Sequence, residues 1–150
     1  GSGTVSQPSF TTLEFETGIA NNTLLFGSMH QGEHASAQVK LNGIGAISSF
    51  TDGEKYNIGV GRKFNDSLSA TLSYTTEEGS SATGTSLLSP TNGTDTYALG
   101  INYSTESVDI AFGYAMSSFG DKAVTTAYGT GNFTNNDATT TGLRIKFKLP

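Results

Sequence analysis

Few stretches of this sequence carry side chains that could do chemistry. The segment HQGEH places His30, Glu33 and His34 within five residues, two imidazoles and a carboxylate of the kind Zn²⁺ accepts. In an extended chain, residues i and i+4 share a face but stand about 13 Å apart. Convergence would need a turn at Gly32, and polar residues on a loop rim are the simpler reading, so no metal site is assigned. Glu14 and Glu16 form a second pair. Paired acids fit glycoside hydrolysis only with a facing acid and a sugar-binding cleft, and neither a second acid pair nor an aromatic platform accompanies them. The acidic residues Asp52, Glu54, Glu77, Glu78, Asp95, Asp121 and Asp137 have neither EF-hand nor nonapeptide spacing. No G-x-S-x-G occurs, and neither histidine has a recognisable triad partner. GVGRKF (59–64) lacks the helix that a phosphate-binding glycine loop requires. The expectation is a protein without catalytic residues, metal or cofactor.

The chemistry-bearing residues are therefore better read through the elements that carry them. Residues 56–74, YNIGVGRKFNDSLSATLSY, alternate bulky and small or polar side chains on both sides of Asn65-Asp66-Ser67. This is a β-hairpin with one apolar and one polar face. Seven such segments run at about 10–20, 23–31, 55–64, 67–76, 95–103, 107–117 and 140–149. Leu24, Leu25 and Phe26 blur the parity of the second. No helical periodicity of useful length appears. The predicted class is all-β, an antiparallel up-and-down meander.

Composition narrows the setting of that meander. Charged residues make up 14% of the 150-residue chain, against roughly 25% in ordinary soluble domains. Gly, Ser, Thr and Asn fill the polar face where Lys and Glu would normally stand. A net charge of −5 with eight Lys and Arg provides no basic patch, so nucleic acid is not an expected partner. Cysteine is absent, which excludes disulfides and thiolate chemistry. No apolar run of about 18 residues is present for a membrane-spanning helix. Gly1-Ser2-Gly3 reads as a cloning remnant, so a removed signal peptide would leave no trace. Residues 1–8 are set aside as an N-terminal segment, and 9–150 are expected to form one β-barrel domain or barrel fragment.

The links between strands alternate strictly. Those at 20–22, 65–66 and 104–106 are short, whereas those at about 32–54, 77–94 and 118–139 are long and rich in Gly, Ser, Thr and Asn. In a meander this sends every short turn to one end and every long loop to the other, as membrane β-barrels do. Aromatic residues fall into two rows, Tyr56, Tyr74, Tyr97 and Tyr114 toward the long loops and Phe64, Tyr103 and Phe147 toward the turns. These are candidates for the interfacial girdles of a barrel; the β-propensity of Tyr and Phe also accounts for them. The opposite parity supplies candidate lumen-lining residues: Glu14, Glu16, Asn57, Lys63, Asn102, Asp109, Arg144 and Lys146. Arg62 lies on the apolar parity, close enough to a turn for its head to reach the interface.

TLEFETGIANNTLLFGSM (12–29), the 56–74 hairpin and the closing TTTGLRIKFKLP (139–150) resemble the C-terminal barrel strands of the FadL/OmpP1/TodX family. The resemblance implies an outer-membrane protein of a Gram-negative bacterium that passes long-chain fatty acids or other hydrophobic compounds without catalysis, with membrane lipid or detergent as its surroundings. The family's barrel has fourteen strands and an N-terminal hatch; no hatch-like segment, no Trp and no terminal aromatic stand here, the chain closing on Leu149-Pro150. The family's ligand and gating residues have no counterparts in these segments. Seven strands would close with a parallel pair, so either an upstream strand is missing or part of 1–8 or 35–47 supplies an eighth. Open edges in a fragment would favour self-association. The alternatives are a small barrel serving as an anchor or adhesin, and a soluble β-sandwich or virion module that buries the apolar face.

Overall fold

Alternating side chains extend the backbone into strands over most of its length. The computed structural model describes residues 1–46, 48, 50–80 and 92–148. Its strands are β1 (Gly3–Thr4), β2 (Phe10–Ala20), β3 (Thr23–Gly32), β4 (Lys40–Leu41), β5 (Gly45–Ala46), β6 (Gly53–Lys63), β7 (Leu68–Glu77), β8 (Thr94–Ser104), β9 (Val108–Phe119), β10 (Lys122–Thr126), β11 (Gly129–Phe133) and β12 (Asn136–Phe147). A 3₁₀ turn spans His34–Ser36.

Seven of these strands form one antiparallel meander in the order β2-β3-β6-β7-β8-β9-β12. Its short turns are built by their own side chains. Asn22 takes the left-handed conformation (φ 57°), which Asn tolerates, and so closes the turn between Ala20 and Thr23. Asn65 Oδ1 accepts from the amides of Ser67 and Leu68 at 2.9 and 2.8 Å. Thr105 Oγ1 plays the same part for Ser107 and Val108 at 3.3 and 3.1 Å. All three turns lie at one end of the sheet, and the long links leave from the other.

The sheet does not close. β2 and β12 are its two edges, each hydrogen-bonded to a strand on one side only. An eighth strand from 1–8 or 35–47 is not formed, because those segments pair with each other instead. Gly3 and Thr4 of β1 lie opposite Leu41 and Lys40 of β4, and β4 pairs with β5. The result is a separate three-stranded sheet.

Two further corrections concern the third long link. Residues 118–139, read as a loop, contain the β10–β11 hairpin, and β12 begins at Asn136 rather than at 140. Neither segment has a bulky face to betray it; Thr and small residues dominate both. Leu149 and Pro150, expected to end the last strand, lie outside the described residues, as do 81–91 of the second link.

Among the described residues the large sheet packs against no second sheet, so the sandwich alternative is not met. Among the described residues, the buried hydrophobic ones are Ala37 and Val124, both in the links rather than in the large sheet. A folded monomer of 15.6 kDa exposes roughly 7,300 Å², whereas this chain exposes 10523 Å². A single layer accounts for the excess.

Candidate functional site

The register sorts the sheet into two faces. Glu14, Ser28 and Asn57 stand in one cross-strand row. Lys63, Ser69, Asn102, Ala111 and Arg144 stand in another. Glu16 faces Phe26, and Asp109 faces Lys146. By this register all eight residues singled out for the polar parity share one face. They are not gathered into a cluster: the two glutamates lie on one edge strand, and Arg144 and Lys146 on the other.

The local partners of these residues are mostly near neighbours. Asn57 Nδ2 donates to Thr75 Oγ1 at 2.7 Å. Lys63 Nζ reaches Asp66 in the following turn at 2.8 Å. Asp109 is bound not by Lys146, its cross-strand neighbour, but by Lys148, at 2.6 Å. Lys148 also donates to Ser104 Oγ at 3.2 Å and to the Thr105 carbonyl at 2.7 Å, while Ser104 Oγ donates to Asp109. This knot ties β8, β9 and the end of β12 together at the short-turn end. Arg144, Lys146 and Lys148 follow one another at period 2 in the sequence, but only the fold reveals which lysine reaches the carboxylate.

The opposite face carries the aromatic residues of the two rows, while Phe10, Phe26 and Phe119 have the polar parity. Tyr74 and Tyr97 share a cross-strand row, with ring centroids 4.9 Å apart. Tyr56 lies one row nearer the long links and Tyr114 one row nearer the turns. The hydroxyls of Tyr56 and Tyr74 donate to Glu54 and Asp95 at the long-link end. Tyr103 and Phe147 lie toward the short turns, and Phe64 follows β6 into one of them. Val60, Leu72, Leu99 and Ile101 fill the centre of this face. Arg62, also on it, holds its guanidinium 5.8 Å from the centroid of the Phe64 ring, within cation–π range.

Along β6, β8 and β9 exposure on the two faces is inverted relative to a soluble protein, whereas on the edge strands β2 and β12 both faces are exposed. Along β8, Tyr97 is 61% exposed, and Leu99 is exposed as well, while Thr96, Ala98 and Gly100 are half-buried. Along β9, Phe112, Tyr114 and Met116 are exposed, while Gly113, Ala115 and Ser117 are half-buried. In β6, Gly59 and Gly61 are buried between exposed Tyr56 and Ile58 and exposed Arg62. This is the pattern of a sheet curved with its small-residue face inward.

Glycines make that curvature possible on the β3–β6 side. A Cβ on Gly59 would lie 2.3 Å from Phe26 Cζ, because the Phe26 ring lies across it; Leu24 stands beside Gly61 at ordinary contact distance, its Cγ 3.4 Å from the Cβ position. Leu24 and Phe26 therefore sit on the polar face, which resolves the blurred parity of 23–31. On the other face Phe15 lies across Gly27. Further along, Ser73, Ala98, Gly100, Gly113, Ala115 and Gly142 line a shallow groove of about 340 Å³. Another, of about 460 Å³, runs past Glu14, Glu16, Phe26 and Asn57.

The HQGEH segment does not converge on one point. His30 Nδ1 is hydrogen-bonded to Thr12 Oγ1 at 2.9 Å, Glu33 accepts from Ser9 Oγ, and the His34 ring packs on Gly32. Among the described residues, no group of three or more His, Asp or Glu is arranged to hold a metal ion.

Comparison with known proteins gives fold-level similarity. No protein-family profile matches the chain, and no curated protein matches it in sequence. Its fold is similar to that in the crystal structure of a Pseudomonas aeruginosa FadL homologue, with a TM-score of 0.66 and 14% identity. The similarity covers 92% of this chain and 34% of that one, so the chain spans about a third of the solved protein. The similarity is one of fold, an open antiparallel sheet of seven strands here set against about a third of that chain.

Proposed function

We propose that the chain forms wall of an outer-membrane β-barrel of a Gram-negative bacterium, with its apolar face toward lipid and its polar face toward a lumen. The observation that carries this reading is the inverted exposure. Large apolar side chains on the open face need an apolar solvent, and lipid supplies it. Tyr56, Tyr74 and Tyr97 toward the long links and Phe64, Tyr103 and Phe147 toward the turns fit the two interfaces, whereas Tyr114 shares the central row of Leu72 and Leu99; Arg62 stands near enough to one interface for its charge to stay hydrated. Glu14, Glu16, Asn57, Lys63, Asn102, Asp109, Arg144 and Lys146 would then line the lumen. A wall of this kind offers hydrophobic compounds a passive route past small and hydroxylated side chains, with no covalent step. The solved FadL homologue supports transport by analogy of fold alone.

A second reading, a barrel that anchors a binding surface, draws on the β10–β11 hairpin, whose tip carries the fully exposed Tyr128.

Circular dichroism and light scattering of the purified chain in plain buffer and in detergent test the membrane reading. β-Structure formed on addition of detergent is expected. A compact, β-rich monomer in plain buffer would overturn it.

A further inference from the structure

On the apolar face of the large sheet, charge is sorted by end. Among the described residues, the acidic side chains of that parity are Glu54, Asp95 and Asp137, all at the long-link end. The basic one is Arg62, at the short-turn end of β6. Two of the acids have phenol partners, Glu54 accepting from Tyr56 and Asp95 from Tyr74. Arg62 has no such partner. Among the described residues it makes neither an ion pair nor a hydrogen bond, and its guanidinium faces the Phe64 ring at 5.8 Å. Two other cations of this end, Lys63 and Lys148, are held by Asp66 and Asp109 at 2.8 and 2.6 Å.

The surroundings leave room for a counter-charge. In its cross-strand row Arg62 stands between Thr23 of β3 and Ala70 of β7, with Ile101 and Phe112 next along. Thr23 and Ala70 are small, so both flanks of the exposed arginine are open. Thr23 Oγ1 donates to the Asn21 carbonyl at 3.2 Å and so stays within its own turn. Past Ala70, Ile101 and Phe112 present an apolar surface of the kind an acyl chain lies on. β6 has a hydrogen-bonded strand on each side, which fixes the row in the middle of the wall.

A cation in a lipid-facing wall, without a carboxylate from its own chain, takes its counter-charge from what surrounds it. The planar fork of a guanidinium matches two oxygens of one phosphate. On the membrane reading, on which this inference rests, we propose that Arg62 binds the phosphate of an anionic phospholipid in the leaflet at the short-turn end. The acyl chains then lie along Ala70, Ile101 and Phe112. Glu54, Asp95 and Asp137 repel the same headgroup at the other interface, so the two ends of the wall sort lipids by charge.

The chain has no tryptophan, so Ile101→Trp places a single reporter two strands from Arg62, about 10 Å away. This protein is refolded into vesicles of phosphatidylcholine with brominated acyl chains, and unbrominated phosphatidylglycerol is added in steps. Fluorescence recovery beyond the mole fraction of phosphatidylglycerol measures its preference for the site. A preference of about fivefold is expected, the effect of one favourable charge at a membrane surface. Arg62→Gln in the same background should remove it, and Arg62→Lys should retain part of it. A reporter at the acidic end, Tyr97→Trp, should show none. No preference at 101, a preference that survives Arg62→Gln, or an equal one at 97 overturns the proposal. A lysine variant no better than the glutamine variant assigns the loss to structure and overturns it too. Inorganic phosphate that abolishes the preference at matched ionic strength would assign the site to the free anion, against the lipid. Strong quenching at 101 without any preference removes this inference alone. No quenching at 101 removes the membrane reading with it.

Discussion

The two faces of the large sheet differ in a way that residue type alone does not anticipate. Along β6, β8 and β9 the face with the larger, more apolar side chains is the more exposed, and the face of glycine, alanine, serine and threonine is the more sheltered. In a two-layer protein hydrophobicity and burial run together, because the second layer covers the apolar face. In a one-layer sheet shelter follows curvature, and small residues gain it by lying on the inside of the bend. Burial here records shape, while the solvent facing each side has to be read from chemistry.

The sharpest way to break this comparison is a charge placed on adjacent residues of β7. In vesicles, Leu72→Arg should cost about 2–4 kcal/mol, the penalty for a cation near the bilayer midplane. Ser73→Arg, one position along and on the other face, should cost within about 1 kcal/mol, as a water-facing substitution does. Equal costs in denaturant titrations of the two refolded variants would contradict the assignment of faces.

A second contrast lies within the polar face. Gly59→Ala would drive a Cβ into the Phe26 ring and to 2.9 Å from the Leu72 carbonyl oxygen, and overpacking of this kind costs about 1–3 kcal/mol. Gly113 has open space around its Cβ position, so Gly113→Ala should be neutral or stabilise by up to about 1 kcal/mol. The same titrations read both. A matching loss at Gly113 would mean that the β9–β12 side is as tightly covered as the β3–β6 side.

The smallest effect belongs to the short-turn rim. The hydrogen bond from Lys63, and then its charge, hold the Asp66 carboxyl below its ordinary value of 3.8. A lowered carboxyl contributes stability that is present above that ordinary value and lost as pH falls through the lowered one. Asp66 is fully exposed, so the contribution is small. Asp66→Asn should lower the unfolding midpoint slightly at pH 6 and leave it unchanged well below pH 3. A difference that persists in acid would assign the effect to the turn backbone instead.

How much of this was legible in the sequence varies with the element. Strands with a bulky parity, such as Tyr97, Leu99 and Ile101, declared themselves to within a residue or two, because period-2 alternation is a local signal. The β10–β11 hairpin and the first residues of β12 did not, since KAVTT and GTGNF hold one bulky residue each and NDAT none, too few to set a phase. Leu24 and Phe26 looked like noise in β3 because their reason is non-local: each lies against a glycine of β6. The polar-face residues could be grouped by parity, but that Lys148 rather than Lys146 takes Asp109 depends on where the chain lies after β12 ends. Whether 1–8 or 35–47 would supply an eighth strand was undecidable from pattern alone, because it depends on whether β1, β4 and β5 join the large sheet or one another.

The central claim, that the apolar face meets lipid and the small-residue face does not, has a direct optical test in a chain without tryptophan. Leu72→Trp and Ser73→Trp, each the sole tryptophan, would be refolded into vesicles whose acyl chains carry bromine. Strong quenching at 72 and little at 73 is the predicted result. Equal quenching at both positions, or stronger quenching at 73, would contradict it.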